Sequence, residues 1–283
     1  MIKKLFSFLT VLICLWGCKA EKVTIPAYVQ IDDYYTKVVA IQGTNNQKFT
    51  DMLVFANGQS SGTFPIGKPI PVITNGAATF LIRGVVEING VSGVRADYEL
   101  MQGCDTVITV TQGKITKIRP VFEYFPGVVF KWIENFDNPA DSGGTPGGTL
   151  TPADTTAQLD SHGFLGSRCL ILRPNATTTT TYVDKSTALS LPSGGVGVYM
   201  ELNFQSNINI NVNIKGDVSG TTLGVGGVYP SAGWNKIYLD LTEQVSNLHE
   251  SNGLYHLTFY ASYDPSVGPN FARIDNIKVI SKQ

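Results

Sequence analysis

Apolar residues along this chain recur at every second position, in short runs broken by glycine, asparagine and proline, and that spacing predicts an all-β protein. The cleanest case is Ile208-Asn209-Ile210-Asn211-Val212-Asn213-Ile214, which puts aliphatic side chains on one face and a row of asparagines on the other. In the first half, strands are predicted over 27–31, 51–56, 78–88, 91–100, 106–111 and 115–124. Asn57-Gly58 and Asn89-Gly90 follow two of them, and Asn-Gly favours the type I′ turn whose twist matches a hairpin. In the second half, strands are predicted over 129–136, 168–172, 196–204, 208–214, 234–239, 255–260 and 271–280. Residues 241–249 offer one short helical turn at most, and 137–160 is a long stretch without pattern.

Seven or so short strands in about 100 residues suit an immunoglobulin-like sandwich, here over 24–125. The Cys-Trp-Cys signature of antibody domains is absent, so the expectation concerns architecture alone. Residues 126–283 form a second β-sandwich, joined through Tyr124-Phe125-Pro126-Gly127.

The N-terminus has a different texture. Lys3-Lys4 precede an apolar run over 5–15 and then Gly17-Cys18, the layout of a secretory signal. The run is shorter than the about 20 residues a membrane-spanning helix needs. Leu15-Trp16-Gly17-Cys18 resembles a bacterial lipobox. The resemblance implies a signal peptide over 1–17, cleavage before Cys18, diacylation (palmitate-type chains) of its thiol and a short tether over 18–23. An ordinary signal peptide that happens to contain a cysteine is the other reading. Lys19 stands where an aspartate would signal inner-membrane retention, so the resemblance implies the outer membrane, with surface exposure left open.

The last predicted strand, Phe271-Ala272-Arg273-Ile274-Asp275-Asn276-Ile277-Lys278-Val279, is similar to the closing strand of galactose-binding-like jelly rolls. Glu134-Asn135-Phe136 fits the opening strand of that fold, which pairs with the closing one. Trp234-Asn235-Lys236-Ile237 looks like a central strand. The whole chain resembles uncharacterised two-domain lipoproteins of Bacteroidota, which share Ile25-Pro26-Ala27-Tyr28-Val29 near the anchor. Similar jelly rolls bind a structural calcium between first and last strands, and this implies Glu134, Asp137 and Asp275 as ligands. The alternative is that Asp275-Asn276 simply bends its strand.

Composition narrows the function. Only 15% of residues are charged, against about 25% in typical soluble proteins. Asparagine, threonine, serine and glycine take their place, a texture of extracellular β-proteins. Net charge is −1 with no basic stripe, which excludes a nucleic-acid partner. Cys104 and Cys169 lack zinc spacing and read as two buried thiols, or as a disulfide between the two halves. His162, His249 and His256 fit no metal motif, and no Gly-x-Ser-x-Gly elbow occurs. Glu201 is a lone acid, read as a solvated strand residue rather than half of a glycosidase pair. Trp234, Tyr229, Tyr182 and Tyr263 are candidate glycan platforms, with the Asn209-Asn211-Asn213 row as hydroxyl partner; core or edge packing is the competing reading.

These features predict a non-catalytic, lipid-anchored outer-membrane protein. It would act as a binding or scaffold module for a membrane-associated protein complex. The alternative is a surface lipoprotein that recognises a cell-surface or environmental glycan.

Overall fold

The computed structural model describes residues 25–91, 93–137, 150–152, 154–185 and 187–283. The signal segment, Cys18 and the whole tether lie outside the described residues. Among the described residues no helix is long and apolar enough to cross a membrane.

The chain is an all-β sandwich protein. Its first half contains β1 (Ala27–Gln30), β2 (Tyr35–Lys37), β3 (Asp51–Ala56), β4 (Gln59–Pro65), β5 (Pro69–Val72), β6 (Gly76–Glu87), β7 (Arg95–Asp97), β8 (Cys104–Val110), β9 (Ile115–Lys117) and β10 (Val121–Glu123). One sheet is ordered β4-β3-β6-β7, with β8 also on β6; β5-β1-β9 and β10-β2 form the opposing layer. Alternation buries Met52, Val54, Phe80, Ile82, Val29 and Ile70 between the layers. Both Asn-Gly pairs have the positive φ that a type I′ turn demands, 49° and 78° at 57–58 and 58° and 65° at 89–90. The strand predicted over 115–124 is split, because Pro120 has no N–H to continue the ladder. The one predicted over 91–100 shrinks to β7.

The second half contains β11 (Val129–Glu134), β12 (Leu150–Pro152), β13 (Ala157–Asp160), β14 (Cys169–Leu172), β15 (Thr180–Lys185), β16 (Leu189–Ser190), β17 (Val198–Ser206), β18 (Ile210–Gly216), β19 (Thr222–Val228), β20 (Ser231–Asp240), α1 (Thr242–Leu248), β21 (Leu254–Ser262) and β22 (Ala272–Ser281). Helix α1 is two turns rather than one. It ends at His249, whose left-handed φ of 43° closes it. One sheet is ordered β13-β14-β22-β17-β20 with β11 on β22, and the other β12-β15-β21-β18-β19 with β16 on β21. First and last strands do pair, Val129 against Ser281 through Glu134 against Ile277. The Trp234 strand is an edge strand of its sheet, not a central one. Its edge is capped by the first half instead of another strand: Asn89 donates its N–H to the Tyr238 carbonyl at 2.8 Å and its Oδ1 accepts the Asp240 N–H at 2.8 Å.

The central strands of the first of these sheets, β17 and β22, are buried on both faces. Val198, Met200, Leu202 and Phe204 of β17 and Ile237 and Leu239 of β20 enter the sandwich core. The alternate positions, Tyr199, Glu201, Asn203, Lys236 and Tyr238, meet the first half end-on. In β22 a bulge shifts the register between Glu201↔Lys278 and Asn203↔Asp275, with Asn276 at φ 50°. The extra residue switches parity. Ile277 and Val279 join the sandwich core, while Lys278 faces Glu201 and Ile280 joins the core of the first half.

Glu201 sits at the centre of this junction and is fully buried, so it is not the solvated strand residue its lone position in the sequence suggests. Its Oε2 pairs with Lys236 Nζ at 2.8 Å and lies 4.0 Å from Lys278 Nζ. Tyr98 and Tyr124, both from the first half, donate hydroxyl protons to Oε1. Gln47 Nε2 donates to the carboxylate at 3.2 Å, and Gln47 Oε1 accepts the Tyr238 hydroxyl at 2.9 Å. Lys278 Nζ also donates to the Thr44 carbonyl at 2.6 Å. Burial by itself would raise the Glu201 pKa, but the Lys236 and Lys278 ammoniums outweigh it and hold it at about 2. Burial, then the negative Glu201, push the three phenols Tyr98, Tyr124 and Tyr238 well up, so all stay protonated donors. Burial lowers Lys278 to about 8 despite Glu201, with Lys236 adding to the fall.

Removing one partner of a buried ion pair leaves an uncompensated charge. Glu201→Ala is therefore expected to lose about 3–5 kcal/mol in urea unfolding at neutral pH. The folded pKa is below the unfolded value of 4.5, so this stabilisation is present above pH 4.5 and is lost as pH falls toward 2. The wild type should thus lose about 3 kcal/mol across that window that Glu201→Gln does not lose; equal slopes for the two proteins would refute the assignment.

Candidate functional site

The second sheet of the second half has a free outer face. Along β18, Ile210, Val212 and Ile214 point into the core, so Asn211, Asn213 and Lys215 point out. Along β21, Tyr255, Leu257 and Phe259 point in, so His256, Thr258 and Tyr260 point out. Antiparallel register then lines these residues up across strands. One row is Tyr182–Tyr260–Asn211–Gly227, and the next is Asp184–Thr258–Asn213–Gly224.

The Tyr182 and Tyr260 rings stack, with centroids 5.7 Å apart and planes at 29°. Tyr182 keeps 43% of its surface exposed. Beside them the glycines of β19 add no bulk. A Cβ at Gly227 would come within 3.5 Å of Asn211 Oδ1, and one at Gly224 within 3.9 Å of Asn213 Oδ1. Among the described residues, no protein hydrogen bond engages the side-chain amides of Asn211 and Asn213. Thr258 Oγ1 donates to Asp184 Oδ1 at 2.6 Å, which orients that carboxylate. At the lower end His256 Nε2 lies 2.8 Å from Asp217 Oδ1. Hydrogen bonds from His256 and then Asn252 lower the Asp217 pKa.

Asn211 also lines a cleft of about 330 Å³ at the upper end of the face, with Asn209, Tyr263, Asp264 and Pro230. The stacked tyrosines, the asparagine row and this cleft form one continuous strip. Of the four aromatics singled out from the sequence, Tyr182 and Tyr263 lie on it. Tyr229 is exposed on a separate cleft with Lys48 and Asn235. Trp234 belongs to the docked sheet and is half-buried, edge to face with Phe164 at 6.1 Å. Tyr260 was missed. The alternation of Leu257, Phe259 and Ala261 marks it as outward, but only the β15–β21 register places it beside Tyr182.

The three carboxylates implied as calcium ligands each accept hydrogen bonds from protein donors. Asp275 accepts from the Phe164 N–H at 2.8 Å, Ser167 Oγ at 2.9 Å and the Asn276 N–H at 2.7 Å. Glu134 Oε1 accepts the Phe136 N–H at 2.9 Å, and Asp137 Oδ1 accepts the Arg168 N–H at 3.0 Å. Calcium needs about six to eight oxygen ligands, and among the described residues no group of three or more His, Cys, Asp or Glu side chains gathers to hold a metal. Asp275 instead pins the 163–167 turn to β22. Burial raises its pKa to about 6 against those donors. Cys104 and Cys169 are both free, and burial pushes the Cys169 thiol up to about 12.

Asp275→Ala should cost about 1–3 kcal/mol by orphaning its donors and speed amide hydrogen exchange at Phe164.

No family model matches the sequence, and neither does any curated protein. Similar solved structures include a variant of the family 29 carbohydrate-binding module CBM29-2, 12% identical over 54% of this chain and 89% of that one, with a TM-score of 0.34. Another is the K1 cleaved adhesin domain of Lys-gingipain from Porphyromonas gingivalis W83, 14% identical over 52% of this chain and 96% of that one, with a TM-score of 0.37. Likenesses this remote carry no argument about function.

Proposed function

We propose that this chain is a lipid-anchored, non-catalytic glycan-binding protein of the outer membrane, and that the free Tyr182–Tyr260–Asn211 strip is its binding surface. The observation that carries the reading is the stacked tyrosine pair set beside asparagine amides that have no partner among the described residues. A sugar ring offers an apolar C–H face and a rim of hydroxyls. Tyrosine rings suit the first, and amides, which both donate and accept, suit the second. Mounting both on paired strands fixes their spacing before any ligand arrives. The commitment of Glu201 to its two lysines supports a binding role over hydrolysis. The Leu15-Trp16-Gly17-Cys18 segment supports the anchor.

A scaffold role for a protein partner is the second reading. It is favoured by an apolar groove of about 700 Å³ lined by Ile41, Phe125, Val128, Phe130 and Ile133. The tyrosine strip ranks above it because its polar groups converge with its aromatics, as recognition of a polar ligand requires.

Affinity electrophoresis against a panel of soluble polysaccharides tests the proposal. At least one should retard the wild type. Tyr182→Ala and Tyr260→Ala are each expected to weaken that binding about tenfold, or roughly 1.4 kcal/mol. Tyr35→Ala, on the exposed surface of the first half, should leave it intact. Failure of every polysaccharide to retard the wild type would overturn the glycan reading. Separately, Cys18→Ser is expected to leave an unlipidated precursor that no longer labels with palmitate; unchanged labelling would overturn the anchor.

A further inference from the structure

We infer that the first half stands end-on on the lipid surface, touching it through the turns around Ile25 and Ile73, so that the tyrosine–asparagine strip points away from the bilayer. This inference rests on the lipid anchor proposed above. The strands of the first half run between two poles. At one pole, Thr44 to Lys48, Ile88 to Gly90, Tyr98 and Tyr124 meet the docked sheet. The opposite pole gathers the chain entry and three turns. Gly113 donates its N–H to the Pro26 carbonyl at 2.9 Å, Asn57 Nδ2 reaches Thr74 Oγ1 at 3.3 Å, and the Gln112 N–H reaches Asn75 Oδ1 at 3.2 Å.

The chemistry of this second pole differs from that of the flanks. The flanks carry surface ion pairs, Lys37–Glu123, Lys117–Asp32, Arg119–Asp33 and Arg83–Asp97. Across 25–26, 57–58, 73–76 and 111–114, Lys114 is the only charged residue and there is no carboxylate. Ile25 and Ile73 are 58% and 68% exposed there, flanked by asparagine and glycine turns. Two open isoleucines and one ammonium, with no negative charge, suit a headgroup layer carrying anionic lipid.

Chain length makes the same pole the one nearest the membrane. From Cys18 to Ile25 the chain can reach at most about 25 Å. β6 runs 12 residues from Gly76 at this pole to Glu87 at the docked one, up to about 36 Å of strand. The docked sheet therefore lies beyond the first half as seen from the anchor. The free sheet lies a further ~10 Å out, the usual spacing of packed sheets, and its open face points outward. Lipid chains and an apolar pole would together give two points of attachment and limit the tilt that a single tether permits.

The test uses the full-length lipidated protein in phosphatidylcholine–phosphatidylglycerol vesicles containing bromine-labelled acyl chains, which quench tryptophan on contact. Ile73→Trp adds a reporter at the proposed contact. Leu165→Trp adds one at a leucine that is 90% exposed on the second half. We expect several-fold stronger quenching of the added fluorescence for Ile73→Trp than for Leu165→Trp, with Ile25→Trp behaving like Ile73→Trp should one variant fail to fold. Equal quenching in protein that floats with the vesicles would overturn the end-on contact while leaving the anchor intact. Protein that does not float with the vesicles would overturn the anchor, and this inference with it.

Discussion

One buried carboxylate organises this molecule. Glu201 lies where two β-sandwiches meet, and burying its charge is tolerable only because two ammoniums and three hydrogen-bond donors surround it. Those partners come from both halves of the chain: Lys236 and Lys278 from the second, Gln47, Tyr98 and Tyr124 from the first. Neither half alone satisfies the cluster. Sliding or rotating one half would leave charges and phenols unpaired in a dry interface, so the junction has one favourable register.

That requirement propagates outward. It explains the bulge at Asp275–Ile277 as a device that turns Lys278 toward Glu201 and Ile277 toward the sandwich core. It also lets β20 be an edge strand, because the first half covers the edge that would otherwise invite pairing with another chain. With one sheet consumed in this way, the other is the sheet left to meet the surroundings. Its outer face carries the stacked tyrosines, the asparagine row and the glycine strand that keeps them accessible.

The functional reading follows from this division. A face built on a six-stranded hydrogen-bonded sheet holds its side chains at fixed spacing, and the junction with the first half fixes the direction in which that face looks. The ion pairs on the flanks of the first half are exposed, each contributing little to stability. Among the described residues of the turns near the chain entry, 25–26, 57–58, 73–76 and 111–114, Lys114 is by contrast the only charged one.

Local information in the chain was sufficient for the all-β class and for both Asn-Gly turns, because alternation and turn chemistry act between near neighbours; the pairing of first with last strand spans nearly 150 positions and was implied only by the jelly-roll resemblance. It was also sufficient for the outward row of asparagines on β18, whose periodicity declares its own faces. It was insufficient for Glu201, since Met200-Glu201-Leu202 reads as an exposed acid until the first half is laid over it. It was insufficient as well for Tyr260, whose partner Tyr182 lies 78 positions earlier and meets it only through the β15–β21 register, and for Asp275, whose oxygens accept two main-chain amides and the Ser167 hydroxyl. Alternation is a property of neighbouring residues and is legible in their order. Which of the two resulting faces is covered depends on what a distant part of the chain brings to it, and so emerges only once the chain has folded.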